Sequence, residues 1–309
     1  MINVDNKDYP SLMIAKYHLP GLFEFYELYH IFLPLYKNKR EWFYDWCDIG
    51  SIYGTPTDCI WGGGRVEEGD AKPEEVLGLL EEYGISARLT FSNSLLTREH
   101  LGDKRCNRLC ELFEDYGKVT NGVIVYSDIL LEYLKDKYKD LYFVSSTTKV
   151  LTDFEELRAE LNRDEFSYVV PDFRLNKRFN ELFGLSVYEK ARVEFLCNEC
   201  CNFECRDRHI CYEAVSAKNL GYEKIEHHCK WSGGGEGYRF SKAMDNPGFI
   251  SIDDIQKIYL REGFKNFKIE GRGLGSAIVL EFLLYYMTKP EYQLRVREEI
   301  YLSNTLDLF

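Results

Sequence analysis

Short runs rich in β-branched and aromatic residues alternate with helical patterns along most of the chain, and this alternation limits the fold more than any other feature. Strands read at 12–17, 48–53, 87–92, 123–127, 141–146, 168–171, 193–197 and 267–270. Short apolar runs of this kind suit strands buried on both faces, as in a parallel sheet. Helices read at 73–83, 103–116, 128–138, 153–162 and 276–287. Pro73 takes a first-turn position and Gly84 follows the last turn, the usual start and stop asymmetry. Asp128 and Asp153 offer carboxylates to free N–H groups, and Lys289-Pro290 ends the last helix. Eight strands with intervening helices predict an α/β fold, a (β/α)8 TIM-type barrel forming one domain over 1–309. A doubly wound open sheet is the alternative. The exception to the alternation is 198–265, a cysteine-rich insertion between the seventh and eighth strands.

A barrel carries its chemistry at the C-terminal ends of its strands. The residues read there are His18, Tyr53, Asn93, Ser127, Asp128, Thr147, Thr148, Asp172, Arg174, Cys197 and Glu270. They are strongly polar where the strand interiors are apolar, although loops that follow strands are polar in any case. Trp61-Gly-Gly-Gly-Arg65 follows the second strand; glycines let a backbone approach a ligand, and Arg65 is placed to pair with a carboxylate. Ser232-Gly-Gly-Gly-Glu-Gly237 reads as a lid or as a surface loop.

Charge and composition narrow the partners. With 39 Lys+Arg against 51 Asp+Glu the net charge is −12, which is poor for gripping long nucleic acid. A nucleobase in a pocket remains compatible, so the expected partner is a small molecule. The longest apolar run, at 278–287, is broken by Glu281, so no membrane span is expected. The first residues carry no basic-then-apolar signal, which predicts a cytoplasmic protein. There, cysteines point to metal or catalysis before structural disulfides.

Six of the ten cysteines fall between Cys197 and Cys229. Cys197-Asn-Glu-Cys200-Cys201-Asn-Phe-Glu-Cys205 contains the spacing C-x-x-C-x-x-x-x-C. Closely spaced thiolates select zinc or an iron–sulfur cluster. Zinc would need a fourth ligand, which Cys211 or Cys229 could supply. Three thiolates on a four-iron cluster leave one iron open, and only one C-x-x-C pair is present where a zinc ribbon usually shows two. The expected metal ligands are Cys197, Cys200 and Cys205.

This spacing resembles the late cysteine motif of phosphomethylpyrimidine synthase, a radical S-adenosylmethionine (SAM) enzyme. From Tyr83-Gly-Ile-Ser-Ala-Arg-Leu-Thr-Phe-Ser-Asn-Ser through Cys197–Cys211 to Asn266-Phe-Lys-Ile-Glu-Gly-Arg272, the chain resembles the queuine lyases of queuosine salvage. The resemblance implies a 4Fe-4S cluster, S-adenosyl-L-methionine, and an electron donor such as a flavodoxin or ferredoxin. It implies cleavage of the carbon–nitrogen bond of queuine, with release of 7-aminomethyl-7-deazaguanine. Arg65, Asn93, Ser127 and Thr147 are then the candidates to hold the cofactor. His18, Tyr53, Asp172, Arg174 and Glu270 are the candidates to hold the substrate, with Asp172 or Glu270 reading the donor edge of the base. Phe267-Lys-Ile-Glu-Gly-Arg272 also resembles a motif of the U32 peptidase family, late-cysteine barrels that include enzymes hydroxylating RNA or quinone precursors. A zinc-stabilised barrel that binds a ligand is the non-catalytic reading.

Overall fold

A computed structural model describes residues 13–64, 69, 71–222, 227, 229 and 240–306. Eight strands form the frame: β1 (Ala15–Pro20), β2 (Cys47–Gly54), β3 (Ser86–Phe91), β4 (Gly122–Val125), β5 (Tyr142–Ser145), β6 (Phe166–Val169), β7 (Glu194–Leu196) and β8 (Asn266–Lys268). All ladder pairings are parallel, in the order β6-β5-β4-β3-β2-β1-β8-β7. A parallel bridge between Val169 and Val193 joins the two ends of this sheet. The sheet is therefore a nearly closed (β/α)8 barrel, and the open-sheet alternative is excluded.

The helices lie where the pattern put them. Pro73–Tyr83 ends on Gly84 in the left-handed region (φ 66°), a conformation that costs glycine nothing. Asp103, Ser127 and Asp153 cap the helices Lys104–Asp115, Asp128–Lys137 and Phe154–Leu161 with their side chains. Ser276–Met287 is apolar nearly all round and is buried between the barrel and the C-terminal helix Gln293–Leu306. Among the described residues no helix is long and apolar enough to cross a membrane.

Two apolar layers follow from strand alternation. Outward-facing residues such as Leu19, Ala87, Leu89, Phe195 and Phe267 pack against the helices in the large core. Inward-facing Tyr53, Ile124, Val144, Val170 and Leu196 form a second, smaller cluster inside the barrel. The first strand starts and ends about three residues later than the pattern suggested, and its ladder with β2 shifts register between Tyr17 and His18. His18 is consequently inside the barrel wall and not at its rim.

Candidate functional site

Four ionisable side chains from four strands meet in the barrel interior. Arg88 (β3) donates to Glu194 (β7) at 2.6 Å, although these strands are not neighbours in the sheet. Only side chains pointing inward can meet in that way. Lys268 (β8) lies 3.4 Å from the other Glu194 oxygen, and His18 (β1) brings Nε2 within 3.5 Å of the first. Arg88 also donates to the Tyr142 hydroxyl at 2.7 Å and covers the Tyr168 ring at 4.7 Å. Lys268 sits 3.4 Å above the centre of the Tyr53 ring, so its charge faces a π-system as well as a carboxylate.

The electrostatics of this cluster are set by burial and by crowding of cations around one anion. Burial alone would raise the Glu194 carboxyl, but Arg88, His18 and Lys268 outweigh it and hold the group at about 2. Burial and then Arg88 push His18 down to about 3 despite Glu194, so His18 is neutral near pH 7. Its Nδ1 is paired with the Ser51 hydroxyl at 2.8 Å. Burial lowers Lys268 to about 8, with Arg88 adding to the fall and Glu194 opposing it. The His18–Glu194 contact is therefore a proximity and not an ion pair at neutral pH.

Above this cluster, at the C-terminal mouth, is a pocket enclosing about 690 Å³ of empty space including its open end. One wall comes from β8 and the loop after it, where Lys268, Glu270 and Arg272 all line the cavity. They occur at every second position, as residues on one face of an extended chain do. Lys268 pairs with Glu194, and Arg272 pairs with Glu24 at 2.9 Å. Asn198 holds the Glu270 backbone at both ends, accepting from its N–H at 2.7 Å and donating to its carbonyl at 3.1 Å. The opposite wall carries Thr90 and Ser92 from β3 and its end, and Ser146, Thr147 and Thr148 after β5.

The structure thus brings Tyr53, Thr147 and Glu270 together in one pocket and gives other expected residues different work. His18 lies beneath the pocket in the ion cluster. Asn93 ties loops together, donating to the carbonyls of Ile60 and Ser216 and accepting from Leu95 N–H. Ser127 caps the following helix through Leu130 N–H. Asp172 is fully engaged, with Oδ1 taking Arg174 Nε at 2.6 Å and Oδ2 taking Arg208 at 2.5 Å. Those cations outweigh burial and hold its carboxyl below the usual range. Arg174 also donates to the Cys205 carbonyl at 2.6 Å. Arg65 and the 232–237 stretch lie outside the described residues. Gly63 packs on the chain just after strand β3, where a Cβ would meet the Ser92 carbonyl oxygen at 2.2 Å.

The cysteines are arranged differently from the expected ligand set. Leu196 faces the pocket, and alternation turns Cys197 the other way, into the apolar layer under the helices. Burial pushes the Cys197 thiol well above its ordinary value. Glu199 organises the next turn, accepting from Cys200 N–H at 3.0 Å and Cys201 N–H at 2.9 Å while pairing with Arg208. Among the described residues no three His, Cys, Asp or Glu side chains gather in metal-binding geometry. A cluster held by Cys197, Cys200 and Cys205 would need Cys197 to turn out of this apolar layer. Two further cysteines, Cys59 and Cys106, are joined as a disulfide, a role the sequence reading had ranked behind metal and catalysis.

Sequence reasoning missed Arg88, Glu194 and Lys268. Their signal was a charged residue in the middle of a short apolar run, which a strand buried on both faces admits only when it is paired.

No family model matches the chain, and no curated protein matches it. The fold and the mouth pocket define a barrel of the class that carries its ligands at the C-terminal rim. Within that class, the chain is similar to the solved structure of the U32 peptidase Mk0906. The TM-score is 0.51 at 15% identity, covering 86% of this chain and 97% of that one. At that identity the likeness concerns the fold.

Proposed function

We propose that this barrel is an enzyme whose active centre is the mouth pocket, and that it takes a 7-deazaguanine base of the queuine type. The observation that carries this reading is the β8 wall, where Glu270 stands between Lys268 and Arg272 inside one cavity. A guanine-like edge offers two adjacent donors and one acceptor. One carboxylate accepts from both donors, and a cation beside it donates to the carbonyl. Tyr53 and Tyr212 bring aromatic surface to the same cavity, as base pockets commonly do. The chain's own contribution is binding, orientation and exclusion of water by the apolar layer beneath.

Titration of the protein with queuine tests this, with adenine as the control base. Queuine is expected to bind and adenine not, and Glu270→Gln is expected to weaken queuine about 10- to 100-fold, the cost of a charge-assisted hydrogen bond. Equal binding of both bases, or an unchanged Glu270→Gln, would remove the base reading.

The iron–sulfur cluster, SAM, its electron donor and the lyase reaction enter from the sequence resemblance. A cluster on Cys197 would require that side chain to leave its apolar seat. Anaerobic reconstitution followed by iron and sulfide analysis, in the native chain and in Cys197→Ser, decides between the spacing and the observed packing. The hydroxylase alternative is supported by the resemblance of Phe267–Arg272 to the U32 motif and by the barrel shared with a U32 peptidase.

A further inference from the structure

Lys268 brings the only amine among the described residues that line the mouth pocket. It stands on β8 beside its ladder partner Leu196 of β7, which lines the cavity as well. As a structural counter-ion it is poorly placed. Arg88 meets Glu194 at 2.6 Å and the Tyr142 hydroxyl at 2.7 Å. A lysine ammonium has three N–H donors, and among the described residues those of Lys268 make one hydrogen bond, to Glu194 at 3.4 Å. Arg88 already balances the charge of Glu194, so Lys268 is a second buried cation on one carboxylate. Burying such a charge is costly unless its pairing is close and complete. The cavity thus holds an ammonium that the packing of the barrel does not account for.

The surroundings of its nitrogen suit a reaction that keeps the charge there. The Tyr53 ring face lies 3.4 Å away on one side and Glu194 on another, and both favour a cation. An ammonium and a carbonyl compound condense to an iminium. A carbon–nitrogen double bond forms, the carbon–oxygen bond breaks, and two of the nitrogen's hydrogens leave with the oxygen as one water. No oxidant or reductant enters, and the positive charge stays between the ring and the carboxylate. Ile124, Leu196 and Leu274 supply apolar surface for the carbon part of such a ligand. An anionic carbonyl compound would meet Glu270 on the same wall, which favours an uncharged one.

We infer that Lys268 is a covalent site of the mouth pocket, its amine forming an iminium with a small uncharged aldehyde or ketone. The inference rests on the mouth pocket as the place of binding and not on the identity of the base.

The test traps the iminium. The full chain is incubated with benzaldehyde and cyanoborohydride, which reduces an iminium to a stable secondary amine, and the benzyl adducts are mapped by peptide mass spectrometry. Exposed Lys72 and Lys257 serve as internal references. Lys268 is expected to label about tenfold faster than either, because the pocket holds the aldehyde beside the amine. Benzyl alcohol, which has the same ring and no carbonyl, is expected to slow the labelling of Lys268 and not of the references. Lys268→Arg keeps a cation against Glu194 and is expected to lose the fast adduct. Labelling of Lys268 no faster than the references, or unaffected by benzyl alcohol, would overturn the site, as would a fast adduct that survives in Lys268→Arg. The native chain reports its own site, so a variant that fails to fold leaves the result standing. Queuine binding to the native chain is scored separately. If queuine binds and Lys268 does not label, the covalent site falls and the base reading stands. If Lys268 labels and queuine does not bind, the base reading falls and the covalent site stands.

Discussion

Glu194 links three other buried side chains of the interior. It is fully buried and faces Arg88, Lys268 and His18. Removing one partner of a buried pair leaves the others uncompensated, which costs about 3–5 kcal/mol. Glu194→Gln is expected to lose stability on that scale in urea unfolding, because two cations are left facing each other across the barrel. Arg88→Met together with Glu194→Gln should cost less than the sum of the two single changes, since the double change removes both members of the closest pair. Additive losses would show that the two do not act as a unit. Lys268 shares this cluster with the pocket, so the floor of the site and the core of the barrel are one electrostatic object.

At the scale of elements, the segment after β7 is held to the barrel by ion pairs. Helix Arg208–Asn219 enters through Arg208, which bonds Asp172, Glu199 and the Tyr212 hydroxyl. Arg208 also lies over the Phe173 ring at 5.0 Å. Tyr212, one turn on, lines the pocket, so this network sets one edge of the mouth. Asp172→Asn weakens both arginine contacts without removing volume. Limited proteolysis of that variant is expected to cut within 198–222 at least several-fold faster than in the native chain, with the barrel fragments persisting. Unchanged cleavage would mean that apolar packing holds the helix alone.

For the whole molecule, the buried cluster predicts an acid limb of unfolding with two stages. His18 has its folded value at about 3, below the ordinary 6.5, so the unfolded chain takes up a proton that the native one refuses. Stability therefore falls as pH drops below 6.5 and continues to fall toward 3. Glu194, at about 2 against 4.5, contributes stability above 4.5 that is lost between 4.5 and 2. Denaturant midpoints across pH 8 to 3 should show this order. His18→Gln is expected to be less stable at pH 7, through loss of the Ser51 bond, yet flatter between pH 6.5 and 4.5. A slope in that range equal to the native one would place the titration elsewhere.

What the sequence determined by itself was the alternation of strands and helices, since a short two-face-buried strand must be covered by helices; the strand order and the Val169–Val193 bridge decided for a barrel over an open sheet. It also pointed to Glu270, because that carboxylate ends the last predicted strand, where a barrel carries its ligands. The tertiary structure decided the rest. A three-residue shift of β1 moved His18 from the rim to the interior, and strand ends are where local pattern is least informative because loops are polar too. Asp172 and Glu270 looked alike along the chain; in the fold Arg208 from the helix after β7 joins the neighbouring Arg174 on Asp172, while Glu270 lines the mouth pocket. The cysteine spacing was legible, but which way Cys197 points depends on the parity of its strand in the closed barrel. The ion cluster belongs to this second class as well. It exists only because strands that are not neighbours in the sheet share one interior.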